Sequence, residues 1–392
     1  MKIGIDKIGF YTPHLYVDMN KLADARKVEP EKFIIGIGQE KMSVPPITQD
    51  AVTMAANAAL EILEESDREK IDYVIFATES GIDHSKAAAI YVHRLLGINP
   101  NARSIEVKEA CYGATAAIHI AKGHIALNPE SKVLVLGSDI SRYGLNTSGE
   151  VTQGAGAVAI LMSANPRIIA IEDPSAYHTE DVMDFWRPLY SNVAFVQGKY
   201  SVELYISFFQ NVWEQYKKKT GLELKDFESF CFHLPYTRLG LKALKTVIDE
   251  GAEEEQERLL ANFELSRSYN KVVGNIYTGS LYLSLLSLLE LNTDIKAGAR
   301  IGLFSYGSGA VGEFFSGIVE PDYRDFLYVE RHGKLLSSRR EVCISEYEEI
   351  FQETSLADIS GKKFPIEKDP AVICLAGVKD HMREYVYKCN EI

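Results

Sequence analysis

The feature that most constrains this chain is an internal repeat at domain scale. In the first half, Ala110-Cys111-Tyr112-Gly113-Ala114-Thr115-Ala116 opens a helix of small and apolar residues, and a Gly-rich turn follows at Gln153-Gly154-Ala155-Gly156. In the second half, Gly274-Asn275-Ile276-Tyr277-Thr278-Gly279-Ser280 opens a similar helix, and Gly307-Ser308-Gly309-Ala310-Val311 repeats the Gly-small-Gly-Ala-Val core of that turn. The order is the same in both, with roughly 30 to 45 residues between helix opening and turn. A chain built this way must fold as two related units, and under the pairing Asn275 is the counterpart of Cys111. At 392 residues the length also suits two units of ordinary domain size.

Each unit reads as α/β. Asp72 to Thr78 and Val133 to Leu136 are buried strands by their continuous apolar runs, and Ala87 to Leu96 is a helix closed by Gly97. The turn at Gln153 leads into the apolar run Ala157 to Met162, and Arg167 to Ile171 is a further strand. The expected division is 1–165 for the first half and 166–392 for the second. Residues 175–201 look like a long irregular connection, and connections of that length tend to be functional. Val202, Tyr205, Ile206, Phe209, Val212, Trp213 and Tyr216 then share one helix face as a core stripe. Phe227 to His233 is a strand whose alternation puts Cys231 and His233 on one side.

Composition narrows the function. A net charge of −13 argues against a nucleic-acid or anionic-membrane surface, so an anionic ligand must meet a local basic patch. Charge at Lys2, Asp6 and Lys7 interrupts any signal-peptide core, and no uncharged run approaches a membrane span, which fits a cytoplasmic enzyme. Cys111, Cys231, Cys343, Cys374 and Cys389 are an odd, scattered set without a CxxC pair, so they read as reduced thiols rather than a disulfide framework or zinc site.

The chemistry-bearing residues all fall at strand or helix ends, where ligands bind in parallel α/β sheets. A lone cysteine is most often core. Cys111, however, sits at a helix N-terminus, where unpaired N–H groups and the helix dipole favour a thiolate. Glu79 follows a buried strand, where desolvation raises a carboxylate toward the pKa of a useful base. His233 ends an apolar strand that Pro235 helps to stop. Cys231 faces the same side and reads as core.

The quoted segments carry a resemblance. Ala77-Thr78-Glu79-Ser80, Lys108 to Tyr112, Tyr143-Gly144-Leu145-Asn146, Thr152 to Ala157, Cys231-Phe232-His233-Leu234-Pro235, Gly274 to Ser280 and Ser305 to Gly309 are similar, in combination and order, to bacterial 3-hydroxy-3-methylglutaryl-CoA synthases of the mevalonate pathway. The likeness runs from the first residues to about residue 320 and weakens beyond. It implies a thiolase-like fold of two pseudo-symmetric α/β halves and a Claisen-type condensation of acetyl-CoA with acetoacetyl-CoA. By similarity Cys111 takes the acetyl group as a thioester, Glu79 removes a methyl proton, and His233 polarises the acceptor ketone. The Cys111 backbone N–H with Ser308 would form an oxyanion site, and Asn275 would orient His233 or the acyl carbonyl. The resemblance further places Tyr143, Asn146, Thr152 and Ser201 near acyl chain or pantetheine, and Lys242, one turn after Arg238, at a CoA phosphate. It implies no metal and no cofactor beyond the CoA substrates, and a homodimer.

Other readings stay open on sequence. A ketoacyl synthase of the same fold generates its carbanion by decarboxylation and needs no base, so Glu79 speaks against it. A synthase acting on carrier-protein substrates for β-branching is separated only by its acceptor. A papain-like hydrolase lacks its signature around Cys111, and a non-catalytic scaffold leaves the helix-terminal thiol without a role.

Overall fold

The computed structural model describes residues 1–354 and 359–388. One nine-stranded sheet runs through it, from β1 (Ile3–Tyr11), β2 (Ile71–Ala77), β3 (Arg103–Val107), β4 (Lys132–Ser141) and β5 (Gly154–Ala164) in the first half to β6 (Ile169–Thr179), β7 (Ser229–Phe232), β8 (Arg300–Gly307) and β9 (Val311–Val319) in the second. The strand order is β7-β8-β9-β6-β1-β5-β4-β2-β3. Reading outward from the β6–β1 seam, β1, β5, β4 and β2 correspond to β6, β9, β8 and β7. Pairing directions agree as well: β2–β4 and β7–β8 are parallel, whereas β4–β5, β8–β9, β1–β5 and β6–β9 are antiparallel. The seam itself has two residue pairs, Gly4 with Ala170 and Ile5 with Ile169.

The helices used below are α1 (Ala51–Ile62), α2 (Ala88–Leu95), α3 (Gly113–Leu127), α4 (Gly198–Thr220), α5 (Thr237–Leu244), α6 (Ser280–Leu291) and α7 (Ile344–Thr354). The cores show how they stack. One cluster joins α3 and α6 to the inner faces of both sheet halves, a second joins α1 and α2 to the outer face of the first half, and a third joins α4 and α5 to the outer face of the second. The result is helices outside, sheet, a shared central helix layer, sheet, and helices outside. Every residue of α6 except Leu291 is buried, as a helix in a central layer requires. Each buried leucine there contributes about 2 kcal/mol of burial free energy before conformational entropy is counted. Small residues Gly113, Ala114, Ala117 and Ala121 of α3 let the backbones approach.

Two expectations need correction. The segment 175–201 is irregular only in part: β6 continues to Thr179, its Ser175–Thr179 stretch pairing with Val311–Phe315 past a register shift beside Pro174, Phe185–Trp186 and Phe195–Val196 pair as a short antiparallel ribbon, and α4 starts at Gly198, so only the stretches between these are irregular. A polar stretch after proline resembles a loop in sequence, yet β9 supplies the ladder partners that make it a strand. The Gly-rich segment at Gln153 is likewise not a turn, because β5 begins at Gly154. There glycine serves close approach: a Cβ on Gly154 would lie 2.7 Å from the Gly274 carbonyl carbon.

Beyond residue 320 the chain crosses back to the first half. Arg340–Glu341 pairs with Leu15 and Tyr16, and Asp50 accepts from Arg383 (2.9 Å) and Tyr385 (2.7 Å). The four described cysteines are unbridged, and Cys389 lies outside the described residues.

Candidate active site

Glu79 follows β2, and Cys111 precedes α3; the structure joins them, the Cys111 thiol donating to Glu79 Oε1 at 3.1 Å. The approach to Cys111 is unusual in its backbone. Ala110 has φ +42°, a left-handed conformation that costs a residue with a Cβ about 1 kcal/mol or more. The loop is braced by the end of β8, where a Cβ on Gly307 would stand 2.6 Å from the Glu109 carbonyl oxygen and 2.7 Å from Tyr112 Cβ. Only glycine lets the strand pass this close.

Burial first, and then the neighbouring Glu79 charge, push the Cys111 thiol well above the ordinary range, with Asp139 and Asp184 adding to the effect. The expectation of a helix-stabilised thiolate is therefore overturned. Three acidic groups in a desolvated recess outweigh the partial positive charge of one helix end. The resting nucleophile is a protonated thiol in contact with the carboxyl group that takes its proton once ionised. Glu79 itself is pushed up to about 8, chiefly by burial and next by Asp139, against a smaller opposing pull from the Cys111 hydrogen bond and Arg187.

Asp139, at the end of β4, organises this side. Its Oδ1 accepts from Glu79 N (2.7 Å), Thr78 Oγ1 (3.0 Å) and Ser80 Oγ (2.9 Å), and its Oδ2 accepts from Thr278 Oγ1 (2.6 Å) and Thr278 N (3.1 Å) in the other half. Sequence reasoning missed it, although a carboxylate closing an apolar strand was a visible signal. Asp184 was missed too: it accepts from Ser201 Oγ (2.9 Å), Tyr306 OH (3.0 Å) and Gly309 N (3.0 Å), tying the irregular segment to the β8–β9 turn.

His233 directly follows β7 and is buried, its N–H donating to Phe304 O (2.8 Å) and its carbonyl accepting from Tyr205 OH (2.7 Å). Burial lowers its pKa to about 3, so the ring is neutral at physiological pH. Among the described residues its Nδ1 has no hydrogen-bond partner. Asn275 Oδ1 accepts from Tyr277 N (2.9 Å) and Ser280 Oγ (3.0 Å), so that oxygen shapes the opening of α6. The side chain also bonds the Tyr143 phenol. Its carbonyl oxygen is thus committed to its own helix start, which leaves the amide N–H₂ as the part of Asn275 that could orient His233 or the acyl carbonyl.

The remaining expected residues fall in three places. Tyr143 lines the recess with Phe185 and Tyr277, ring centroids 5.9 and 6.3 Å away, and burial first, then Cys111 and Glu79, disfavour its ionisation. Asn146 is exposed at φ +57°, and Thr152 Oγ1 bonds Gly149 O at 2.8 Å within the same β4–β5 connection. Ser201 and Ser308 gather around Asp184 and Tyr306, Ser308 bonding the Tyr306 hydroxyl. Arg238 and Lys242 lie on α5, the Lys242 ammonium exposed and 3.2 Å from Tyr236 OH. Cys231 is core, its thiol pushed up to about 12 by burial. Among the described residues no cluster of His, Cys, Asp and Glu could hold a metal ion.

A duplicated α/β frame with a thiol, a carboxylate and a neutral imidazole at its strand and helix ends defines the thiolase-like class of enzymes. The family model for the hydroxymethylglutaryl-coenzyme A synthase N terminal matches residues 1–167, and the C-terminal model matches 169–262 and 255–370. A hydroxymethylglutaryl-CoA synthase of Enterococcus faecalis is 55% identical over 92% of this chain and 94% of its own. A polyketide-biosynthesis 3-hydroxy-3-methylglutaryl-ACP synthase of Bacillus subtilis is 31% identical over 94% and 93%. A crystal structure of HMG-CoA synthase complexed with CoA superposes with a TM-score of 0.96 at 46% identity, over 99% of this chain and 100% of that one. The chain belongs to the hydroxymethylglutaryl-CoA synthase family.

Proposed function

We propose that the chain condenses acetyl-CoA with acetoacetyl-CoA and water to 3-hydroxy-3-methylglutaryl-CoA and CoA through an acetyl-Cys111 thioester. The observation that carries this reading is the 3.1 Å contact between the Cys111 thiol and Glu79 in a recess built by both halves. Ionised Glu79 accepts the thiol proton as sulfur attacks acetyl-CoA and passes it to the departing CoA thiolate, which leaves as free CoA and returns the carboxylate to its ionised form. A thioester keeps its methyl protons acidic enough to remove, and the same carboxylate, poised near 8, is suited to take one. The carbanion then attacks the ketone of acetoacetyl-CoA. Neutral His233 donates a hydrogen bond that steadies that oxygen as it becomes an alkoxide, the alkoxide takes up the proton that Glu79 removed, and water hydrolyses the thioester to free Cys111.

The Cys111 backbone N–H and Ser308 serve the acyl oxygen, Asn275 and Tyr143 border the acyl group, and Asn146, Thr152 and Ser201 border the pantetheine. Arg238 and Lys242 meet CoA phosphate, the local positive charge an acidic protein needs. No cofactor beyond the CoA substrates takes part. β3 is one of the two outer strands of the sheet, and its edge, unpaired among the described residues, suits pairing with a second copy as a homodimer, which light scattering would test. No described helix is long and apolar enough to cross a membrane. We place the activity in the cytoplasm and in the mevalonate route. Incubation with acetyl-CoA, with mass spectrometry to locate the acetyl group, tests the covalent step. Discharge by acetoacetyl-CoA supports the reading, and discharge only by a carrier-protein acceptor replaces it with the β-branching one.

A further inference from the structure

The twelve-residue connection Arg142 to Gln153 carries Tyr143 into the recess, and it is held from behind by α7 of the C-terminal tail. Gln153 Oε1 accepts the backbone N–H groups of both Tyr143 (2.7 Å) and Gly144 (3.2 Å), where Gly144 takes φ +95°. Gln153 Nε2 donates to Tyr347 OH on α7 at 2.9 Å, and that hydroxyl donates to Glu150 Oε1 at 3.2 Å. Glu150 is fixed in turn by Arg26 through two bonds of 2.8 Å, and its Oε2 accepts from Asn146 N at 2.9 Å. At the other end of α7, Thr354 Oγ1 accepts from Arg142 at 2.8 Å.

Gln153, Glu150 and Tyr347 are all buried, so each unmade bond here would leave a desolvated polar atom. Packing alone does not fix the segment. A cavity of about 20 Å³, room for a single water, remains between α7 and the ends of β4 and β5.

We propose that Gln153 and Tyr347 are positioning residues for acetyl transfer to Cys111, through which α7 sets the place of the Tyr143 side chain against Cys111 and Glu79. Neither contacts the reacting atoms. Gln153 grips the two peptide groups that aim Tyr143, and Tyr347 fixes Gln153. The inference rests on the functional reading above, and it gives the tail a share in catalysis although, among the described residues, the tail supplies no group to the recess.

The test is a mutant cycle read by rapid-quench acetylation of Cys111 in the full chain. Tyr347→Phe removes one hydroxyl and keeps the ring; it should slow acetyl transfer about tenfold, in line with the cost of a small misplacement. In a Tyr143→Ala background the same change should slow the step by less than about twofold, because the side chain it acts through is gone. Thr354→Val, which removes the shorter of two Thr354 acceptors for Arg142 without touching Tyr347, should act in the same direction by about threefold and keeps the test open if Tyr347→Phe folds poorly. Equal slowing with and without the Tyr143 side chain overturns the proposal, as does a lowered melting temperature with unchanged acetylation rate. A wild-type protein that takes no acetyl at Cys111 removes the functional reading and this inference together, whereas normal wild-type acetylation with equal slowing removes the inference alone.

Discussion

The two halves place their chemistry at equivalent points and then diverge in kind. Glu79 follows β2 and His233 follows the equivalent β7, while Cys111 precedes α3 and Asn275 precedes α6. The first half supplies two groups that exchange protons, both pushed above their usual range by burial and acidic neighbours. The second supplies a neutral imidazole and an amide. Duplication therefore fixed where side chains stand, and local surroundings decided what they do. Even the backbone shows this: Ala110 before Cys111 and Gly274 before Asn275 both have positive φ, +42° and +93°, but only the second half uses glycine.

The largest test of this division is Cys111→Ala, which should abolish acetyl transfer from labelled acetyl-CoA; label kept on the variant would move the nucleophile elsewhere. Next, Glu79→Gln should slow condensation by about 10²- to 10⁴-fold, with acetylation of Cys111 affected less. If single-turnover measurements show equal loss in both steps, Glu79 is not the base for carbon–carbon bond formation. His233→Ala should leave acetylation intact and reduce use of acetoacetyl-CoA by about 10- to 100-fold; a variant with unchanged acceptor dependence would break the assignment of the second half to the acceptor.

Stability against pH should separate the halves by sign. Glu79 keeps in the fold a proton that the unfolded chain releases near 4.5, so its contribution declines as pH rises from there to about 8. His233, lowered to about 3 from 6.5, refuses a proton that the unfolded chain accepts, so its contribution grows as pH rises across that window. Denaturant titrations should find that Glu79→Gln gains more stability at pH 8 than at pH 5. A gain independent of pH would contradict the raised carboxylate. The condensation rate should also climb with pH as Glu79 ionises through about 8.

The smallest expected effect concerns the paired backbones. Ala110→Gly should raise stability by up to about 1 kcal/mol. Gly274→Ala should lower it by more, because its Cβ would meet Gln153 O at 2.2 Å. Melting temperatures that move the same way for both would show that the two openings are not alike.

The repeat, the order of elements and the core stripe of α4 were legible because apolar periodicity and turn residues are local signals. The strand at Ser175–Thr179 was not, since it exists only through its partner β9. The thiol's protonation state escaped for a related reason. A helix start is visible in sequence, but the approach of Glu79, Asp139 and Asp184 from three distant segments is not. Asn275 was located by symmetry, and its bonds to Tyr277 and Ser280 depend on a local geometry that symmetry with Cys111 could not supply. The tail gave no sequence sign of reaching Gln153, which lies 194 positions from Tyr347.

Asp139 spans the two halves, one oxygen receiving Glu79 N and the other Thr278. During synthesis the first half leaves the ribosome before residue 278 exists. Until then this carboxylate lacks the two donors that later secure it, and the recess lacks a wall. The acid–thiol pair, both of whose members lie in the first half, thus gains its second-half wall only after residue 278 has been made.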